Sequence, residues 1–282
     1  MRKDAYDIVT ERIIEHLNQG VVPWQKGWIG GGRPCNLVTG KPYRGINVFV
    51  LGLSGYSSRY WLTFNQARKK GGSIGKGEKG TPVVFWKWLE KEVKDPETGK
   101  KTTDRIPLLR CYTVFNLEQT RGIKEPELAD KPQISPIDAA QKIIRNMPRR
   151  PAMVPGRPAY DAGADIVSLP AFERFTCAEE FYSTAFHELA HSTGHGSRLG
   201  RKEVVEAAFF GDPDYSKEEL VAEMAAAFLC NEAGIAPQTL ANNAAYIQHW
   251  LKAFNDDRKM LVCAAAAAQK AADFILNIRY EE

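Results

Sequence analysis

Apolar residues recur at helical spacing at Ile8, Val9, Ile13 and Leu17, a stripe that predicts a first helix closed by Gly20. Residues 21–32 break the periodicity: Pro23, Trp24, Gly27 and Trp28 lead to a glycine triplet, which is loop chemistry. Residues 46–51 fit a helix or a strand equally. Residues 60–64 read as a strand, and 65–70 as a short helix stopped by Gly71-Gly72. A basic glycine loop, Gly75-Lys76-Gly77-Glu78-Lys79-Gly80, enters a strand at 81–88. Residues 89–105 are charged and turn at Asp95-Pro96-Glu97-Thr98-Gly99, as a hairpin excursion would, and 108–115 return as a strand.

Residues 126–136 lack periodicity and read as a linker, which divides the chain into domains 1–125 and 137–282. The second domain contains a Pro/Arg-rich segment at 148–158, followed by a short strand at 165–170. Helical patterns then cover 178–193, 216–232, 238–253 and 256–276. The alanine run 264–268 signals close helix packing. The expected fold class is α+β in two domains: an N-terminal mixed α/β domain with an antiparallel sheet, and a mainly helical C-terminal domain with a small sheet.

The chain has 282 residues, 44% hydrophobic and 26% charged, which suits packed cores and excludes wholesale disorder. It holds no apolar run of about 18 residues, so no membrane helix is expected. The N-terminus carries acids and no apolar segment, so no secretory signal is expected and the location reads as cytoplasmic. Five scattered cysteines form no metal or disulfide spacing and read as buried, reduced thiols. The net charge of +4 conceals a split: residues 1–125 hold 22 Lys/Arg against 12 Asp/Glu, whereas the remainder holds 16 against 22. Five of the six tryptophans also fall in the first part. Such asymmetry hints at a nucleic-acid-binding half joined to something else.

The most specific chemistry is His187-Glu188-Leu189-Ala190-His191, the HExxH pattern, within a helical run. Residues four apart share a helix face, so both imidazoles can hold one ion while Glu188 reaches a water beside it as general base. Three of five histidines cluster here, His187, His191 and His195. Ser197 occupies the place where an extended three-histidine pattern would continue. His195 lies about 12 Å along the axis from His187, so it reads as structural, substrate-facing or a support to the ligands. A third ligand comes from Ser216-Lys217-Glu218-Glu219-Leu220-Val221-Ala222-Glu223: Glu219 as ligand, with Glu223 one turn later orienting a histidine, or the two roles exchanged. Glu219 also fits a capping box with Ser216 as N-cap, and Glu218 is expected to point elsewhere. Tyr160, Tyr182 and Tyr215 are candidate oxyanion donors, and strand 165–170 a candidate border of the cleft. Zinc is the expected ion; two histidines and a carboxylate also accept Mn2+ or another divalent ion.

In the first part, Arg33, Lys41, Arg44, Arg59, Arg68, Lys69, Lys70, Lys76 and Lys79 interleave with Trp24, Trp28, Tyr43, Tyr56, Tyr60, Trp61 and Phe64. Cations for phosphates and aromatic faces for bases suit a single strand; a basic surface over an aromatic core would give the same pattern. The glycine loop lacks the Gly-Lys-Ser/Thr ending of a nucleotide-binding loop, so it is a phosphate contact at most.

On these residues the chain resembles the ArdC antirestriction family of conjugative plasmids. The resemblance rests on Val22-Pro23-Trp24, on residues 39–47 (Thr-Gly-Lys-Pro-Tyr-Arg-Gly-Ile-Asn), on 63–67, 76–80 and 115–119, and on His187–His195, Arg198-Leu199 and Glu218–Glu223. It implies an N-terminal single-stranded-DNA-binding domain with Trp24, Lys41, Tyr43, Arg44, Asn47, Arg68, Lys69, Lys76 and Lys79 as candidate contacts. It further implies a zincin-like, gluzincin-type metallopeptidase domain and protection of incoming plasmid DNA, with a host restriction-system protein as a candidate partner. Two rival readings remain: a non-catalytic DNA-binding protein with a structural metal, and, less favoured in an acidic half that repels phosphate, a metal-dependent nuclease.

Overall fold

The computed structural model describes residues 3–25, 32–94, 101–126, 135–201, 213–235 and 244–278. Helix α1 (Ala5–Asn18) starts at a capping box between Asp4 and Asp7 and buries Val9, Ile13 and Leu17, the expected stripe. Gly20 closes it at φ +77°. The ambiguous segment 46–51 is helix α2 (Ile46–Gly52), almost wholly buried.

A four-stranded sheet runs in the order β1 (Cys35–Asn36), β2 (Tyr60–Leu62), β5 (Lys101–Asn116), β4 (Thr81–Lys94). It is antiparallel except for the β1–β2 pair. The β4–β5 hairpin pairs from Thr81 with Val114 to Lys94 with Lys101, so both strands continue through the charged region; the expected turn at 95–99 lies outside the described residues. Between β2 and β4 come α3 (Phe64–Lys69), capped by Thr63 and Gln66, and β3 (Ser73–Ile74), which pairs with β6 (Thr120–Arg121).

Helix α4 (Pro136–Asn146) begins at the end of the expected linker, with Ser135 as N-cap and Pro136 in its first turn. A three-stranded sheet follows, ordered β7 (Ala152–Pro155), β9 (Ile166–Leu169), β8 (Ala159–Asp161). Helices α5 (Ala178–Ser192), α6 (Pro213–Ala233), α7 (Ala244–Asp256) and α8 (Met260–Ile275) complete the chain. Helix α6 is buried nearly all round from Leu220 to Cys230, as a central helix must be, and packs against α4, α5 and α8. Ala264, Ala265, Ala268, Ala271 and Ala272 are buried and let α8 approach it closely.

One apolar core joins residues of both halves. Phe49 of α2 stacks on Phe228 of α6 with ring centroids 4.9 Å apart, and Trp24 meets Trp250 and Phe254 edge to face. The cysteines are all free, but only Cys35 and Cys230 are buried; Cys177 and Cys263 are exposed, so burial does not explain all five. Burial pushes the Cys230 thiol up to about 12.

Candidate metal centre

Helix α5 presents two faces. Tyr182, Ala185, Phe186, Leu189 and Ala190 enter the core, while Glu180, Thr184, His187 and Glu188 line a cavity of about 550 Å³. Glu179 and Glu180 in the first turn complement the helix dipole. The helix stops at Ser192, where Thr193 and Gly194 N–H groups close back on Leu189 and His191 carbonyls. Arg198 fixes the following turn: it donates to the Ser192 carbonyl at 3.0 Å and pairs with both Asp165 oxygens at 2.8 Å.

His187 and His191 bring their Nε2 atoms 3.1 Å apart. Glu219 of α6 places Oε1 3.0 Å from His187 Nε2 and Oε2 3.7 Å from His191 Nε2. Donors held tetrahedrally at 2.0–2.1 Å from one ion lie about 3.3 Å apart, so these separations fit a single divalent ion. Among the described residues these three form the group able to do so. Glu188 lies beside them, largely buried, its carboxyl held above the usual range by burial and only partly offset by the two histidines. Burial disfavours the His187 cation, but the hydrogen bond and charge of Glu219, aided by Glu188 and Glu223, outweigh it and raise the imidazole's pKa.

Three expectations about the neighbouring acids are corrected. Helix α6 begins at Pro213, three residues before Ser216, so Glu219 sits inside the helix and caps nothing. Glu218 does not point away: it is buried with Oε1 3.4 Å from His191 Nδ1, and it receives Arg201 Nε at 2.9 Å and Nη2 at 2.6 Å. Burial alone would raise its pKa; Arg201 and His191 overcome that and lower it, keeping a carboxylate behind the ligand imidazole. Glu223, expected behind a histidine, instead accepts Trp24 Nε1 at 2.7 Å and the Tyr246 hydroxyl. Burial holds its carboxyl above the usual range despite the Tyr246 bond. Tyr246 itself is raised, by burial and then by Glu223.

Of the three candidate tyrosines, Tyr160 and Tyr182 are not among the residues lining the cavity. Tyr182 is in the core, Tyr160 donates to Asp165, and the side chain of Tyr215 lies outside the described residues. Strand β9 is paired on both sides and cannot accept a substrate backbone. His195 is partly buried in the turn after α5, its Nδ1 2.8 Å from Ser197 Oγ, and is not among the residues lining the cavity.

Several candidate DNA contacts lie at the junction of the two halves. Trp24 is 2% exposed and, with Gln25, walls the metal cavity. Arg44 pairs with Asp273 of α8, and the Gly45 N–H donates to Gln269 Oε1 at 3.1 Å. Arg33 meets the same Gln269 oxygen. Gly45 has φ +56°, where a side chain is strained. Asn47 is buried, donating to the Val84 carbonyl and accepting its N–H, both at 2.7 Å. Tyr43 is buried in a small cluster with Trp61 and Val83. These side chains join elements: Trp24, Tyr43 and Asn47 are buried, and Arg44 is paired across the junction. Lys41, Arg68, Lys69, Lys76 and Lys79 are exposed. Trp28 lies outside the described residues.

The sequence reading passed over an aromatic face on the hairpin. Phe85 and Tyr112 are 45% and 44% exposed, meet edge to face at 5.8 Å, and lie beside exposed Arg110. With Lys41, Tyr43 and Thr63 they line a hollow of about 360 Å³. The alternation Val83, Phe85, Lys87 against Leu108, Arg110, Tyr112 carries the signal, because the outer face of an antiparallel sheet is ordinarily polar.

Fold and cavity define a two-domain protein with a metallopeptidase-type second half. Residues 138–267 match the family described as zincin-like metallopeptidase, and residues 3–115 match the N-terminal domain of anti-restriction factor ArdC. The metal-free crystal structure of the antirestriction ArdC protein from the R388 plasmid is 36% identical, with TM-score 0.76 over 98% of this chain and 99% of that one. Its Mn(II)-bound structure matches at 35% identity and TM-score 0.75 over 98% of each chain. The chain therefore belongs to the ArdC antirestriction family. It is also 38% and 35% identical to two Escherichia coli proteins named DNA primase TraC, and spans 28% and 20% of their lengths. The uncharacterized protein y4eC of Sinorhizobium fredii is 29% identical, matching 96% of this chain and 91% of that one. No helix among the described residues is long and apolar enough to cross a membrane.

Proposed function

We propose that this chain protects incoming plasmid DNA from restriction by binding single-stranded DNA through residues 1–125 and hydrolysing a protein, such as a component of a host restriction system, at a zinc site in residues 137–282. The observation that carries the reading is the convergence of His187, His191 and Glu219 beside Glu188 in an open cavity. A bound divalent ion supplies Lewis acidity, activating water and polarising a peptide carbonyl. Glu188 takes the proton of the attacking water and returns it to the departing amine. Its largely buried place beside the two histidines suits both steps. Glu218 holds His191 from behind, and Arg201 keeps Glu218 ionised. On the hairpin, Phe85 and Tyr112 stack bases while Lys41 and Arg110 meet phosphates, with Arg68, Lys69, Lys76 and Lys79 extending the basic surface.

Glu188→Ala tests the catalytic half. The variant retains its metal and loses hydrolysis by at least about a hundredfold, the scale of general-base catalysis. Restriction protection in cells receiving plasmid DNA falls with it. Full protection by a metal-loaded Glu188→Ala protein would instead favour masking of DNA around a structural metal.

A further inference from the structure

Among the described residues the charged lining of the metal cavity is one-signed: the carboxylates Glu180, Glu188, Glu219 and Glu223 and no Lys or Arg. Even with a divalent ion held there, the four carboxylates when ionised leave the described lining net negative. Glu180 is not needed for the metal or for proton transfer. It lies seven residues before His187, about 10 Å along the helix at 1.5 Å per residue.

Glu180 is nonetheless fixed in place. The Thr176 N–H and hydroxyl donate to its Oε2 at 2.9 and 2.6 Å, and no cation among the described residues forms an ion pair with it. Those Thr176 bonds hold its pKa below the ordinary value, so it stays charged. Both of those bonds engage Oε2, and the residue lines the cavity. Pro158, Phe175 and Glu180 itself also line a second hollow of about 800 Å³, whose farther side carries Arg157 and Arg174, so Glu180 stands at the boundary between the two.

We infer that the site takes a polypeptide segment bearing a Lys or Arg side chain within about three residues of the bond placed at the metal, and that Glu180 reads that cation. The spacing follows from the distance to His187, since an extended peptide advances about 3.3 Å per residue. The arginine-lined arm refuses a cation farther out, which confines the preference to the metal end. The inference rests on the peptidase reading of the site.

The test is binding of labelled decapeptides, identical but for Lys, Arg, Gln or Glu at one position, to the zinc-loaded full chain carrying Glu188→Gln. Anisotropy at low ionic strength should show Lys and Arg peptides binding about fivefold tighter than Gln, the scale of a single solvent-exposed ion pair. Glu180→Gln should abolish the difference, and Glu180→Lys should turn it toward the Glu peptide; unchanged metal content in both confirms that the site remains folded. Absence of the preference, or its survival in Glu180→Gln, overturns the inference. Cleavage by the Glu188 protein of all four peptides alike would also overturn it while upholding the peptidase reading. The preference without any cleavage would support it while counting against hydrolysis.

Discussion

Asp165 and Arg198 illustrate how single residues set the metal helix. The Arg198 guanidinium is almost fully enclosed and ties Asp165, the Arg149 carbonyl and the end of α5 together. Asp165 takes a left-handed φ of +53°, which Asn also tolerates, so Asp165→Asn removes the charge with little backbone cost. The change should destabilise the fold by about 2–4 kcal/mol, because a buried cation loses its counter-charge. Arg198 first lowers the Asp165 pKa, against the opposing effect of burial. The bond's stabilisation is therefore present above the unfolded carboxylate pKa and is lost as pH falls through the lower folded value. Denaturant melts across this acid range should show the wild type losing stability that the Asn variant never had; parallel losses would contradict the assignment. Residue identity alone revealed His187, Glu188 and His191, because their spacing matches one helix turn. Glu218 was hidden by a competing signal: Ser216 with Glu219 imitates a capping box, whereas Pro213 is the true first-turn residue.

At the scale of elements, alternation and periodicity located most helices and strands, and left α2 ambiguous because a helix buried on all sides has no polar face to set its period. What sequence could not display was the partner of each motif. Arg44 and Gly45 meet Asp273 and Gln269 more than 220 residues later. The trace of that contact is Gln269 and Asp273, two polar residues one turn apart in an alanine-packed helix. Basic and aromatic letters thus grouped residues that pack at the junction with residues on the surface, and under the proposed function the β4–β5 hairpin face carries the contact with DNA. Phe85→Ala and Tyr112→Ala should each weaken single-stranded DNA binding by about 1–3 kcal/mol, the worth of a base stacked on an aromatic ring. Lys41→Ala should lower the slope of log affinity against log salt by about 0.7. Titration of labelled oligonucleotide at several salt concentrations reads both; unaltered affinity in the aromatic variants would remove the hairpin from the interface.

For the whole molecule, the junction matters more than either half. Trp24, from the half that matches the ArdC N-terminal domain, closes one wall of the metal cavity and bonds Glu223 on the helix that supplies Glu219. The basic half and the acidic half, distinguished by charge along the sequence, therefore share a core and a site wall. The α+β class and the zincin-like second half were legible because a short motif and a helix-rich tail agree. The shared wall was not, since nothing in residues 22–25 names a partner on a helix two hundred residues away. The central claim is that His187, His191 and Glu219 hold one ion while Glu188 and Glu218 do not. Elemental analysis of protein purified without added metal tests it most directly. One divalent ion per chain is expected in the wild type and in Glu188→Ala, with near-complete loss in Glu219→Ala. Retention of a full equivalent by Glu219→Ala, or no metal in the wild type after zinc is supplied, would contradict the account.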